Sequence, residues 1–214
     1  QRSQISLPMW LVKRLRKFRY ALFALLLAAQ TTAHAGAQAE EKLSHSVQTS
    51  MASAIADRSA TRLIGDPAVV QAWLAEMSTR LASRMPDAEQ RREFLTTVQY
   101  EASRAGLDPQ LVLAVINHES AFRKYAISSA SARGYMQVMP FWVRLIGTAD
   151  HNLFHLRTNL RYGCTILRHY LDIEKGDVVR ALARYNGSLG RFEYPNVVLG
   201  MQESRWKWQA PAKP

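Results

Sequence analysis

The feature that most narrows what this chain can fold into is the apolar run at residues 111–117, LVLAVIN, with Glu119 two positions beyond it. Asp108-Pro109 stands immediately before the run. An acceptor side chain followed by proline marks a helix start, because the aspartate takes up first-turn amides and proline needs no amide partner there. The run therefore predicts a helix opening at Pro109. At 3.6 residues per turn, Val112, Val115, Ile116 and Glu119 fall on one face. A carboxyl in line with an apolar stripe is costly to ionise, so Glu119 is expected above its ordinary pKa, in the state a general acid needs near neutrality. A loop of small side chains follows, and residues 134–140, GYMQVMP, then set an amide among methionines.

Three segments occur in order: Glu119-Ser120, then Gly134-Tyr135-Met136-Gln137-Val138-Met139-Pro140, then Ala183-Arg184-Tyr185-Asn186-Gly187. Their order, and the spacing of Glu119 and Gln137, resemble the soluble lytic transglycosylases, lysozyme-like enzymes that cut the glycan strands of bacterial peptidoglycan. That family reads Glu-Ser, then Gly-Leu-Met-Gln with a hydrophobic residue and Met-Pro, then Ala-Tyr-Asn. The likeness runs over residues 100–206. Tyr135 stands in place of the usual leucine and Arg184 in place of the usual alanine. Neither change removes a reacting group, although both can reshape a sugar subsite.

The resemblance implies that Glu119 serves twice. It would protonate the bridging oxygen between N-acetylmuramic acid and N-acetylglucosamine, then deprotonate the muramic acid 6-hydroxyl as that oxygen closes on carbon 1 to give a 1,6-anhydro ring. No Asp or Glu lies between Glu119 and Asp150. Tyr185 is implied to lie with its hydroxyl beside the acid as a second catalytic residue. Ser128, Gln137, Met139 and Asn186 are implied to bind substrate, with Ser129 able to replace Ser128 by a loop shift. Met136 is expected in the core. The implied partner is the peptidoglycan strand, with other cell-wall proteins as further candidates, and no cofactor or metal is called for. Two other functions remain open: a hydrolytic muramidase that brings in Asp150, Asp172 or Asp177 to activate water, and an inactive glycan-binding module, against which intact Glu119, Gln137 and Tyr185 argue.

Net charge is +11, but six of the 28 basic residues and none of the 17 acidic ones precede residue 40. The remainder carries 22 cations against 17 anions, a balance of +5 that suits an anionic sugar polymer. No basic run interleaved with stacking aromatics points to nucleic acid. The early charge belongs to a leader pattern. KRLRKFR at residues 13–19 precedes the nine-residue apolar run ALFALLLAA at 21–29, and Ala33-His34-Ala35 and Ala37-Gln38-Ala39 both offer cleavage sites. This reads as a secretory signal peptide over residues 1–39, too short in its apolar part to span a bilayer, with residues 1–8 upstream of a true start at Met9. The mature protein is expected in the periplasm without membrane insertion. Cys164 stands alone.

The rest of the chain predicts helices throughout. Residues 40–65 carry a weak amphipathic stripe. Asp66-Pro67 opens a second helix with Val70, Trp73, Leu74, Met77 and Leu81 in line, closed by Pro86. Asp87 with Gln90 reads as a capping box for a helix running to Gly106. Pro140 opens a short helix to Gly147, and another runs from residue 157 to 174 with Gly176 as its stop. Asp177 caps the helix that delivers Tyr185, and Pro195 opens the last helix at 196–203. His151 and His155 are four apart but lack further ligands. The expected fold is all-α: a lysozyme-like catalytic domain at 97–206, a helical region at 40–96 before it and a tail at 207–214.

Overall fold

The computed structural model describes residues 38–210, which belong to one unit. Among them are eight α-helices and no strand, so the expected all-α class is met. In chain order they are α1 (His45–Ala56), α2 (Pro67–Leu81), α3 (Ala88–Arg104), α4 (Pro109–Ser120), α5 (Phe141–Ile146), α6 (Leu156–Ile173), α7 (Val178–Tyr185) and α8 (Glu193–Met201). A π turn, Gln202–Trp206, follows α8 directly. The leader pattern falls almost wholly outside the described residues.

Four aspartates start helices as their positions predict. Asp66 accepts from Ala68 N, Asp87 from Gln90 N, Asp108 from Gln110 N and Asp177 from Arg180 N, all at 2.7–3.0 Å. Each bond satisfies an amide that has no partner inside its own helix. The last helix departs from expectation, since α8 begins at Glu193 and not beyond Pro195. Proline is tolerated in a first turn, where its missing N–H removes no helical bond.

Packing centres on α4 and α6. Every side chain from Leu111 to Asn117 is buried, as befits a helix covered on all sides by α3, α8 and the π turn. Helix α6 lies against α1, α3 and α7, with Leu160, Tyr162, Ile166 and Leu167 in its interior. Beneath these contacts the fully buried carboxylate of Glu101 meets Arg161 at 2.9 Å, Arg104 at 3.2 Å and Arg157 at 3.4 Å. Taking one carboxylate out of water is tolerable with three guanidinium groups around it. The expected boundary between residues 96 and 97 falls inside α3, and Trp73 and Met77 of α2 join the same core as α4. Trp206 is buried edge-on to Phe122, with ring centres 5.4 Å apart.

Candidate active site

Glu119 lies in the last turn of α4 and is 6% exposed. Burial raises its carboxyl pKa to about 7, and a hydrogen bond from Tyr194 works in the opposite direction. That bond is short: the Tyr194 hydroxyl donates to Glu119 Oε1 at 2.6 Å. The other oxygen, Oε2, is buried without a hydrogen-bond partner. One oxygen is thus held by a hydroxyl and the other has no hydrogen-bond partner, and burial favours the neutral carboxyl near neutral pH.

Tyr194 comes from the first turn of α8, which packs on α4. It is buried, its own pKa is raised well above normal by that burial and by Glu119, and the His118 ring meets it edge-on at 4.9 Å. Sequence reasoning missed this residue. Its only local signal was an aromatic close behind the third motif, and placing the helix start at Pro195 left it in a loop.

Tyr185 lies within electrostatic reach of the acid without a hydrogen bond to it. Its hydroxyl donates to Met136 O at 2.7 Å, not to the carboxyl. It remains close enough for Glu119 to raise its pKa, although burial is the larger cause. Tyr185 therefore pins the turn at residues 134–138. The hydrogen bond to the carboxyl comes from Tyr194 on α8, which packs on α4.

The turn itself is built from nested hydrogen bonds. Arg133 and Val138 exchange both backbone bonds at 3.0 Å, and Gly134 N reaches Ala126 O at 2.9 Å. Gln137 sits inside with φ of +48°, a left-handed conformation unusual for a side-chain-bearing residue. Its Nε2 donates to Gly134 O at 2.9 Å and Ala126 O at 3.1 Å. The donor half of the amide expected to hold sugar is therefore engaged within the turn. Ser128 Oγ likewise accepts from Ala132 N at 3.1 Å and shapes the loop, while Ser129 is exposed. Met139 is half-buried against the core. Asn186 caps α7, and its Nδ2 reaches Ser188 Oγ at 3.2 Å.

Helix α6 supplies a support that sequence reasoning also missed. Asn159, fully buried, accepts from Met136 N and donates to Arg133 O and Leu153 O, each at 2.8 Å. One turn later Gly163 lets Met136 approach, since a Cβ there would come within 2.3 Å of the Met136 sulfur. Gly134 is equally constrained: φ is +75°, and a Cβ would meet Asn159 Nδ2 at 2.4 Å.

The two departures from the family pattern have structural partners. Tyr135 is buried against Phe94, with ring centres 5.0 Å apart, and lies in the core. Arg184 pairs with Glu174 and, at 3.2 Å, with Glu41. The carboxylates considered for water activation are engaged elsewhere. Asp172 pairs with Arg168 at 2.5 Å, Asp177 caps α7, and Asp150 bonds Thr148. His151 Nδ1 lies 2.7 Å from Tyr162 Oη, and among the described residues no three His, Cys, Asp or Glu side chains converge. Two cavities of 530 and 510 Å³ border α1 and α6, and Glu119 lines neither.

Part of the chain is similar to known proteins. Residues 96–196 match the family described as the transglycosylase SLT domain, a span that includes Glu119, Gln137, Asn159, Tyr185 and Tyr194. The chain is similar to membrane-bound lytic murein transglycosylase C of Mannheimia succiniciproducens, 39% identical over 66 residues that make up 31% of this chain and 17% of that protein. It is also similar to the transglycosylase of Enterobacteria phage PRD1, 34% identical over 95 residues, 44% of this chain and 35% of the phage protein. The chain thus spans well under two thirds of the length of these relatives. Among solved structures it is similar to an inactive mutant of lytic transglycosylase Slt from Pseudomonas aeruginosa, with TM-score 0.41 and 22% identity over 65% of this chain and 32% of that one.

Proposed function

We propose that this chain, whose residues 96–196 belong to the transglycosylase SLT domain family, cleaves peptidoglycan glycan strands and leaves 1,6-anhydro-N-acetylmuramic acid ends. The observation that carries the reading is the Glu119 carboxyl, buried, with Oε1 held by Tyr194 and Oε2 free. Glu119 gives its proton to the oxygen linking muramic acid carbon 1 to N-acetylglucosamine as that carbon–oxygen bond breaks. The resulting carboxylate takes the proton of the muramic acid 6-hydroxyl while its oxygen bonds to carbon 1, and Glu119 returns to its starting state. The attacking hydroxyl belongs to the substrate, so its effective concentration is high and no activated water is needed. Tyr194 stabilises the transient carboxylate with a charge-assisted hydrogen bond.

Tyr125, Ile127 and Phe192 are strongly exposed on the two segments that adjoin Glu119 and Tyr194, and they offer apolar faces to sugar rings. Ser128, Met139 and Asn186 lie on those same segments and remain candidates for substrate contact. The leader pattern at residues 1–39 supports a periplasmic location for the enzyme. Among the described residues no helix is long and apolar enough to cross a membrane. The test is clearing of purified sacculi. Glu119→Gln is expected to reduce the rate by at least the upper part of the range about 10²–10⁴-fold, because one residue acts at both stages. Near-normal clearing by a folded Glu119→Gln protein would refute the assignment.

A further inference from the structure

We propose that residues 38–41 form a strap that holds the turn at 134–140 in its substrate-binding shape, with Gln38 as the positioning residue; the word substrate here rests on the function proposed above. Gln38 is 4% exposed although it lies in a segment without secondary structure. Its Oε1 accepts from Met139 N at 3.2 Å and from Trp142 Nε1 at 3.1 Å, and its Nε2 donates to Gln137 O at 3.3 Å. A buried carboxamide is tolerable only with partners for both its halves, and these partners lie about a hundred residues away along the chain. All three belong to the turn and the helix it opens.

The neighbouring residues keep the strap on its track. Glu40 pairs with Arg144 at 3.5 Å and Glu41 with Arg184 at 3.2 Å, and Gln48 Nε2 then donates to Leu145 O at 2.6 Å. The two ion pairs are solvent-exposed and contribute little each, so the buried amide is the principal anchor. What it anchors has reason to move. Gln137 holds a left-handed conformation that an ordinary residue keeps only when its surroundings impose it, and Gln38 ties the carbonyl of Gln137 and the amide of Met139 to one side chain. This bears on maturation. Cleavage after Ala35 leaves Gln38 as the third residue of the mature chain, whereas cleavage after Ala39 removes it. The strap requires the mature enzyme to retain Gln38, which cleavage after Ala35 allows.

Gln38→Met keeps the length of the side chain and removes its hydrogen bonds. Hydrogen exchange at the Met139 amide is expected to become at least about tenfold faster, a loss typical of one protecting hydrogen bond, while α3 amides exchange as before. Binding of a purified peptidoglycan tetrasaccharide, measured in the Glu119→Gln background so that nothing turns over, is expected to weaken about tenfold. Unchanged exchange at Met139 would overturn the strap, as would tighter binding, which would make Gln38 a plug. Failure of the parent to bind the tetrasaccharide would count against the proposed function, and the exchange result would still decide the strap. Intact mass of the exported protein is expected to place the N-terminus at Gly36, and a fully active chain beginning at Glu40 would refute the proposal.

Discussion

Replacing Glu119 with glutamine should stabilise the fold at alkaline pH and leave it unchanged in acid. The carboxyl has its pKa raised from an ordinary 4.5 to about 7, chiefly by burial. Below pH 4.5 the group is neutral in the folded and the unfolded chain, so it adds no difference between them. As pH rises towards 7 the unfolded chain releases the proton and the folded chain retains it, so stability falls. Above 7 both forms are ionised, and the buried charge opposes folding in full. At about 1.4 kcal/mol per pH unit, the interval amounts to roughly 3 kcal/mol. Glutamine has no such dependence and presents an oxygen to Tyr194 of the same kind. Urea unfolding followed by tryptophan fluorescence should therefore give matching stabilities for wild type and Glu119→Gln near pH 4. The variant should lead by roughly 3 kcal/mol at pH 8, equivalent to a Tm higher by about 6–12 °C for a domain of this size. Parallel stability curves across that range would show that Glu119 is not the buried, proton-retaining group described here.

Three further perturbations follow from the same geometry. Tyr194→Phe removes a hydrogen bond worth about 1.5–3 kcal/mol to a charged acceptor; kcat should fall about 10- to 100-fold, and the alkaline limb of the kcat/KM profile should move to higher pH, because the lost bond favoured the carboxylate. An unmoved limb would remove Tyr194 from the protonation of Glu119. Asn159→Ala breaks three hydrogen bonds to the Met136 turn; thermal unfolding should show a loss of about 2–4 kcal/mol, by the usual cost of leaving buried backbone groups unpaired. Glu101→Gln leaves Arg161 buried without its counter-charge and should destabilise by about 3–5 kcal/mol in denaturant titrations, with a change under 1 kcal/mol arguing that the cluster is hydrated.

Much of this molecule was legible because its local rules are obeyed. Asp66, Asp87, Asp108 and Asp177 cap helices in the positions where their spacing from apolar stripes put them. The expected elevation of the Glu119 pKa followed from Val112, Val115 and Ile116 sharing its face, and all three are fully buried. The features that escaped are tertiary. Tyr194 meets Glu119 only because α8 packs on α4, across 75 residues of chain, and no periodicity records that contact. Asn159 and Gly163 did leave a trace, as a polar residue and a gap four positions apart in α6, but what fills the gap is Met136 from a distant turn. The proposed division at residue 96 had no proline or glycine to mark it, and α3 runs through it. Gln38 stood within a cleavage-site pattern, which gave no hint that its amide would be buried against Trp142.

The central claim is that Glu119 works as the single acid and base and that the substrate's own 6-hydroxyl attacks. The most direct test is mass spectrometry of the muropeptides released from purified peptidoglycan by the wild-type protein. The account predicts fragments ending in 1,6-anhydro-N-acetylmuramic acid, lighter by one water than the products of a hydrolase and resistant to borohydride reduction at that end. Reducible N-acetylmuramic acid ends would mean that water attacks carbon 1, and would contradict it.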